Sequence, residues 1–511
     1  AHFIPHFSLT DYNFIVLLYK NQAVWPATLF YRSGVYLMRK LSGLSYKIMY
    51  VYIVLIGCFQ LYTSVFGAFE SYLQKNIHLG LVLPLAYILY PGRKNSPMDR
   101  VPVIDWILGL LSMIPSLYVI LNYDEITMPI VQVDPFTPAQ FICGILLCVL
   151  LMEGTRRVVG LPLTIIAILF ASYMYFGESL PGIMKGLSFP LHEIVEQIYL
   201  TDEGIFSMPL GVSATLVAAF LIFGGFLEKC GTGPYFMEVA QAFTGTAPGG
   251  PANIAVASSC LFGSISGSAV ANVYGTGTFT IPLMKRIGYP PAFAGAVEAV
   301  SSSGGQIMPP VMGAGAFLMA SFLGIPFVDV MIAAVTPAVI YYAAVFLMIR
   351  LEALKRGLKG LSKDELPSKS AVLKKAYLFL PIITLVYFLC IGYTPMRAAA
   401  IGALVSWLVS LPQPDKRMGP KAVFDAMYGG MKNITLVCVA CATAGIVLAS
   451  VSLTGVGVKL VGFVLAFSHG VPFIALILVM IVSLVLGMGL PTTGAYILAA
   501  ALGAPILTKL G

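Results

Sequence analysis

Two apolar stretches of this sequence are each interrupted by a cluster of small polar residues. The tract GSISGSAVANVYGTG divides residues 254–284, and SSSGGQIMPP divides residues 291–323. Pro-Pro ends a continuous helix, because proline lacks an N–H donor and clashes with the preceding turn. Irregular backbone inside a membrane is tolerated only where it is buried in protein or lines a polar cavity. The two interruptions therefore indicate a binding site at membrane depth.

The residue types at these interruptions suit a cation and an anionic solute. Hydroxyl, amide and carbonyl oxygens are ligands for a hard monovalent cation, and the N-termini of half-helices attract anions. Alternatively, small residues only allow close helix packing, but packing alone does not explain Gly-Gly-Gln and Pro-Pro within an apolar run. The expected ligands of a first cation site are Ser264, Ser266, Gly267, Ser268, Asn272, Ser301, Ser302, Ser303, Gly304 and Gly305.

A third interruption, GMGLPTTG, divides the apolar residues 471–507. It predicts part of a second, symmetry-related cation site. The expected contributors are Gly487, Met488, Gly489, Thr492 and Thr493.

Glu298 lies about one and a half turns before the second interruption, in an apolar segment. A carboxylate there costs roughly 2.5 to 3.5 kcal/mol or more unless it is solvated, paired or protonated. It is a candidate proton carrier or ion ligand. The alternative is a structural hydrogen bond from a neutral glutamic acid to a neighbouring helix. Glu153 is at helix spacing from Arg156 and Arg157, which predicts a surface ion pair.

The composition places these residues in a bilayer. Of 511 residues, 58% are hydrophobic and 10% are charged, whereas soluble domains carry roughly a quarter charged residues. The net charge of +8 comes from short basic loops, which indicate topology rather than nucleic-acid binding. We interpret the eight cysteines as small core residues. Spans are predicted at residues 48–69, 77–90, 103–121, 140–152, 161–176, 210–227, 328–349, 376–393, 397–411 and 434–453.

An internal repeat relates the interrupted segments. Gly231 pairs with Gly455, Gly263 with Gly487, Pro282 with Pro505 and Gly288 with Gly511, in one register with a single gap. The basic loops predict that residues 254–284 and 471–507 are re-entrant hairpins that enter from opposite sides, as in inverted-topology repeats. We expect this chain to lack the second copy of the broken helix and its final span. The fold class is therefore an all-α polytopic membrane protein with inverted repeats, two hairpins and broken helices.

The tract GSISGSAVANVYGTGTFTIPLMKRIGYPPAFAGAVEAVSSSGGQIMPPVMGAGAFLMASFLGIP closely resembles the large membrane subunit of TRAP transporters, specifically the fused permeases of the TAXI subgroup. GMGLPTTGAYILAAALGAPIL, LTDEGIFSMPLGVSATL and RVPVIDWILGLL are similar to the same subgroup, and the resemblance runs from about residue 50 to the end. It implies an elevator-type secondary transporter in the bacterial inner membrane. A periplasmic TAXI-type binding protein would deliver an organic anion such as a dicarboxylate, a 2-oxo acid or glutamate. A sodium or proton gradient would drive import, with no other cofactor.

The resemblance also implies how the chain divides. Residues 1–180 would form a small-subunit-like block with a connecting helix, 181–350 the first repeat, 351–375 a cytoplasmic linker and 376–511 the second repeat. The solute would contact Ser268, Asn272, Gln306, Pro309, Pro310, Pro491 and Thr492.

One departure from the family bears on the coupling ion. Many members have an acidic residue where this chain has Asn272, whereas Glu298 replaces an uncharged residue of the other branches. Our hypothesis is that protons substitute for sodium, with Glu298 as their carrier.

Other function classes fit less well. A stand-alone dicarboxylate carrier has similar paired hairpins, and an ion channel also uses re-entrant Gly and Ser segments. An ABC permease or pump is disfavoured because the sequence has no GxxxxGK[ST] signature. An enzyme is not expected, since no Ser/His/Asp or metal-ligand constellation stands out.

Overall fold

The computed structural model describes residues 38–457 apart from 94, 129–135 and 183–184, together with 459, 462, 467–468, 471–487 and 490–508. The described residues form helices joined by loops, with no strand among them. Seven helices in this part are long and apolar enough to cross a membrane, or eight if one bent pair counts as a single span. The prediction of an all-α polytopic membrane protein is confirmed.

The first seven helices of the described residues form what we call the N-terminal block. The predicted span over residues 103–121 is long and apolar enough to cross a membrane. Its helix is interrupted at Ser112, whose hydroxyl donates to the Gly109 carbonyl. The block comprises α1 (Gly43–Phe66), α2 (Ser71–Leu89), α3 (Val103–Leu111), α4 (Ile114–Leu121), α5 (Tyr123–Thr127), α6 (Pro138–Val158) and α7 (Leu161–Phe176).

A buried ion network joins three parts of this block. Asp105 in α3 accepts from Arg39 at 2.5 Å and from Arg157 in α6 at 2.7 Å. Glu153 pairs with Arg156 and Arg157, each at 2.7 Å. The predicted pair of Glu153 is therefore present, but it is not a simple surface pair, because the Arg157 side chain is 6% exposed. The network fixes the segment before α1 against α3 and α6.

The middle of the chain contains the first hairpin and broken helix. The helix that leads to it has one wide turn of π-helix at residues 213–217. The elements are α8 (Leu191–Leu200), α9 (Met208–Lys229), α10 (Thr232–Thr244), α11 (Gly250–Ser266), α12 (Ala269–Arg286), α13 (Pro291–Gly304), α14 (Ala314–Leu323) and α15 (Phe327–Lys355).

The last part contains the second hairpin. Much of the chain between 458 and 470, and the chain after 508, lies outside the described residues. The elements are α16 (Lys369–Lys374), α17 (Leu380–Cys390), α18 (Pro395–Ser410), α19 (Pro420–Met431), α20 (Ile434–Thr454), α21 (Pro472–Gly487) and α22 (Thr492–Thr508).

The same order of elements occurs twice. Helix α9 is followed by Gly231 with φ +93°, and α20 is followed by Gly455 with φ +65°. This left-handed conformation is one that glycine adopts without a steric penalty. A helical hairpin follows each glycine, α11–α12 in the first copy and α21–α22 in the second. The opposite orientation of the copies, and the division into domains, stay predictions.

The described residues have two hydrophobic cores. A smaller core joins the first hairpin to α13 and α15 through residues such as Val256, Met284, Val297 and Tyr342. A larger core extends from the N-terminal block through α9 and α20 to α22. Of the cysteines, Cys58 and Cys390 are exposed, so the expectation of a core position was wrong for these two.

A buried polar contact links the N-terminal block to α9. His78 in α2 contacts Gln60 of α1 through Nδ1 at 2.8 Å and Ser213 of the π-turn through Nε2 at 3.1 Å. The Gln74 amide donates to the Ala214 carbonyl at 3.2 Å. All of these side chains are buried. Hydrogen bonds between polar side chains hold membrane helices together. The N-terminal block and α9 therefore pack as one body.

Candidate functional site

The tip of the first hairpin is clasped by the break in the neighbouring helix. A Cβ on Gly263 would lie 2.4 Å from the Cα of Gly305, and one on Gly305 would lie 2.5 Å from the Cα of Gly263. Real Cβ atoms essentially never come this close to backbone. The two glycines therefore allow hairpin and break to meet backbone to backbone.

The break itself spans residues 305–313, and it begins later than the sequence suggested. Helix α13 continues through Ser301, Ser302 and Ser303 and ends at Gly304. The unwound backbone is held by the Val311 N–H, which donates to the Ser264 carbonyl at 3.0 Å.

Met312 is a residue of this break that sequence reasoning missed. It has φ +61°, which is rare for a residue other than glycine and concentrates at functional sites. Its carbonyl lies 2.1 Å from where a Cβ on Gly267 would be, and Gly267 itself has φ +59°. No sequence signal marks Met312, because its conformation is imposed by the hairpin tip packed against it.

Most of the predicted hydroxyl ligands are engaged with nearby backbone. Ser264 donates to the Leu261 carbonyl at 2.7 Å, and Ser268 caps α12 by accepting from the Ala271 N–H at 3.3 Å. Ser301 and Ser303 donate to the carbonyls four residues earlier, at 2.6 and 2.8 Å. These hydroxyls retain lone pairs, but each is positioned by its own helix.

Ser266 is different. Its hydroxyl oxygen is buried and has no hydrogen-bond partner among the described residues. An unsatisfied buried hydroxyl costs about 1–3 kcal/mol. Its position at the end of α11, beside the break, leaves an oxygen available to a cation.

Asn272 lies beneath the tip. It is fully buried; its amide donates to the Ser259 carbonyl at 2.8 Å, and the Thr276 hydroxyl is 3.4 Å from its side-chain oxygen. The structure therefore gives Asn272 a contact between the two arms of the hairpin, α11 and α12.

Glu298 lies at the centre of a cage of four hydroxyls. It is fully buried. Thr276 and Thr280 of α12 lie 2.6 and 2.5 Å from its carboxyl oxygens, and Ser259 of α11 and Ser302 of α13 lie at 3.2 and 3.1 Å. One carboxyl group thus connects both arms of the hairpin to the broken helix.

The cage can hold either protonation state of Glu298. Each hydroxyl can donate to an ionised carboxylate or accept from a neutral carboxylic acid. The Thr276 and Thr280 hydroxyls have a second acceptor in the carbonyls of Asn272 and Thr276, four residues earlier. Their protons can therefore turn to the backbone when Glu298 is neutral.

The second hairpin meets the first broken helix at a polar contact. The Thr492 hydroxyl, at the start of α22, donates to the Gln306 side-chain oxygen at 3.0 Å. Tyr496 of α22 packs against Gly315 and Phe322 of α14. Of the predicted solute contacts, the structure thus brings Gln306 and Thr492 together.

The remaining predicted residues are less constrained by contacts. Pro309 and Pro310 lie half-buried in the break, Pro491 is half-buried at the second tip, Thr493 is buried and Gly487 is exposed. Met488 and Gly489 lie outside the described residues. No cluster of three His, Cys, Asp or Glu side chains occurs in the part of the chain that the structure describes.

The chain is similar in sequence to proteins of several bacteria. The protein y4mL of Sinorhizobium fredii is 26% identical over 340 residues, which cover 63% of this chain and 75% of that protein. The C4-dicarboxylate TRAP transporter large permease protein DctM of Pseudomonas aeruginosa is 29% identical over 194 residues, covering 38% of this chain and 45% of that permease. The sialic acid TRAP transporter large permease protein SiaM of Vibrio cholerae is 28% identical over 194 residues, covering 37% and 45%.

The matches to the two permeases span less than half of their length. The family model described as the tripartite ATP-independent periplasmic transporter, DctM component, matches residues 146–511. This is well over half of the chain and includes both hairpins, the broken helix and Glu298. The chain belongs to the DctM family of TRAP transporter permeases.

Proposed function

We propose that this protein is the fused, TAXI-type permease of a TRAP transporter in the bacterial inner membrane. It imports an organic anion that a periplasmic binding protein delivers, and a cation gradient drives the import. The observation that carries the proposal is the contact between Gln306 and Thr492, because it joins the two interrupted segments at one point, where inverted repeats place their solute site.

We infer the class of solute from the polar groups of the site and from the names of similar permeases. The similar permeases are named for C4-dicarboxylate, sialic acid and isethionate. Hydroxyl and amide donors beside helix N-termini favour such anions. A dicarboxylate, a 2-oxo acid and glutamate are therefore the first solutes to test.

The two hydrophobic cores support an elevator motion. The first hairpin, α13 and most of α15 share the smaller core, whereas the N-terminal block and α9 belong to the larger one, which also includes Ile265 at the hairpin tip and Phe327 at the start of α15. A body packed mainly on its own core can move by breaking its contacts at these two places. We propose that the hairpin body carries the solute and that the N-terminal block extends the static scaffold.

We further propose that Glu298 carries the coupling proton. Its hydroxyl cage accommodates both protonation states and joins both arms of the hairpin to α13. Releasing the proton leaves a charge that the four hydroxyls stabilise, so protonation couples to the packing of the hairpin against α13.

Proteoliposomes containing the full chain test these proposals. Uptake of labelled solute is measured with a candidate TAXI-type binding protein, under separate sodium and proton gradients. We expect uptake only with the binding protein, and proton-driven uptake at least about tenfold lower in Glu298→Gln, which keeps the shape but cannot ionise. Uptake without any binding protein would instead favour a stand-alone carrier.

The matched control is Glu238→Gln, since Glu238 pairs with Lys375 on the surface of α10. It should transport like the wild type. Unchanged uptake and unchanged pH dependence in Glu298→Gln would exclude Glu298 as the proton carrier while leaving the transporter assignment intact.

A further inference from the structure

An apolar groove lies away from both hairpins, between α1, α9, α18 and α19. Its volume is about 710 Å³, within the range of roughly 300–1,000 Å³ of sites that hold small molecules. Leu61 and Val65 of α1 form one wall, Leu404 and Trp407 of α18 a second, and Phe424 of α19 a third. The groove therefore follows the boundary between the N-terminal block and the second half of the chain.

One end of the groove is charged. Arg397 is the one charged side chain among the described residues that line it. It lies in the first turn of α18, where the positive end of the helix dipole disfavours a cation. Its guanidinium is exposed and makes no hydrogen bond or ion pair with the described residues. The guanidinium of Arg397 and the N-terminus of α18 both favour an anion at this point.

The length of the groove matches one leaflet of a bilayer. The lining residues Arg397, Ile401, Leu404 and Trp407 recur at helix spacing, so they share one face of α18. The ten helical steps from Arg397 to Trp407 cover about 15 Å at 1.5 Å per residue. This is half of the ~30 Å hydrocarbon thickness. An acyl chain that begins at a headgroup beside Arg397 would therefore fit along the helix.

We propose that this groove binds one glycerophospholipid, with its phosphate on Arg397 and an acyl chain along α18. Arginine pairs with phosphate through two parallel hydrogen bonds. The lipid lies beside the direct contact of α1 with α19, in which the Tyr50 hydroxyl donates to Asp425 at 2.8 Å. It adds to this contact between the N-terminal block and the second half of the chain, independently of the solute site.

Native mass spectrometry of the full chain, delipidated in detergent and titrated with dioleoylphosphatidylglycerol, tests this inference. The wild type should retain one lipid at collision energies that remove all others. Arg397→Gln should weaken retention about tenfold through loss of a charge-assisted hydrogen bond, and Ala400→Phe, which fills the groove, should abolish it. Arg417→Gln is the matched control, because Arg417 is exposed in the loop before α19 and does not line the groove.

The outcomes separate the possible occupants. Equal retention by the wild type and Arg397→Gln would overturn the proposal. It would also fail if sodium phosphate alone displaced the lipid, which would indicate a free-anion site, or if the retained mass were a second copy of the chain. Arg397 is exposed, so its variant decides the question even if Ala400→Phe does not fold.

Discussion

At the residue scale, the hydroxyls of the first hairpin differ in what they do for the fold. Ser258 donates to the Ile254 carbonyl at 2.7 Å within its helix. Ser266 has a buried hydroxyl with no partner among the described residues. A buried hydroxyl without a hydrogen-bond partner destabilises the fold. Ser266 is therefore the clearest candidate for a cation ligand among these hydroxyls.

Ser266→Ala should therefore separate stability from function. Removing an unpaired hydroxyl relieves a desolvation penalty of about 1–3 kcal/mol, so the thermal midpoint should stay the same or rise. In proteoliposomes under a sodium gradient, the sodium concentration that gives half-maximal uptake should rise about tenfold through loss of one ligand.

Ser258→Ala is the control, because it removes a satisfied hydroxyl from the same helix. It should lower stability by about 1 kcal/mol and leave the cation dependence unchanged. If Ser266→Ala destabilised the protein and left the cation dependence as in the wild type, Ser266 would be structural.

At the element scale, the hairpin and the broken helix depend on one close backbone contact. Gly305→Ala would place a methyl group 2.5 Å from the Cα of Gly263. We expect a loss of about 1–3 kcal/mol or more from overpacking, and loss of transport. Thermal unfolding and uptake measure the two effects.

Gly224→Ala provides the comparison within α9. A Cβ there meets nothing within 4 Å, so the substitution should stabilise the helix by up to about 1 kcal/mol. If the Gly305→Ala protein were as stable and active as Gly224→Ala, the backbones of the hairpin and the break would be able to move apart and accommodate the methyl group.

The buried ion network holds the elements of the N-terminal block. Asp105→Asn would leave Arg39 and Arg157 buried without their shared carboxylate. Breaking a buried pair costs about 3–5 kcal/mol, so the thermal midpoint should fall strongly. Glu153→Gln, at a residue whose side chain is 31% exposed, should cost about 1 kcal/mol or less. Equal shifts for the two variants would contradict this reading.

The sequence could predict the elements but not all of their contacts. Glycine, proline and apolar runs report the local backbone, so the hairpins and the broken helix were predictable. The contacts of Arg39 with Asp105 and of Glu298 with Thr280 join residues far apart in sequence, and their side-chain directions follow from packing. The π-turn at Ser213 and the φ of Met312 likewise depend on tertiary partners, which no local pattern reveals.

At the scale of the whole molecule, the two cores predict two cooperative bodies. Replacing His78 with leucine leaves Gln60 and Ser213 without this partner. Hydrogen exchange, followed by mass spectrometry, should therefore become faster in both α2 and the π-turn of α9, and stay as in the wild type in α11 and α12. Local openings follow the free energy of each cooperative unit.

Tyr342→Phe supplies the reciprocal control. The Tyr342 hydroxyl donates to the Ser301 carbonyl at 3.0 Å in the smaller core, so its loss should speed exchange in α13 and not in α2. A response confined to α2 in the His78 variant would mean that the block and α9 open independently.

The hydrogen bond between Thr492 and Gln306 has a consequence for discrimination among solutes. A solute that enters between the second hairpin tip and the break must separate this pair. Because the contact is exposed, water can also satisfy both groups, so a hydrocarbon solute gains nothing for the bond that it displaces. A solute that bonds to both Thr492 and Gln306 is therefore favoured over one that offers only hydrocarbon.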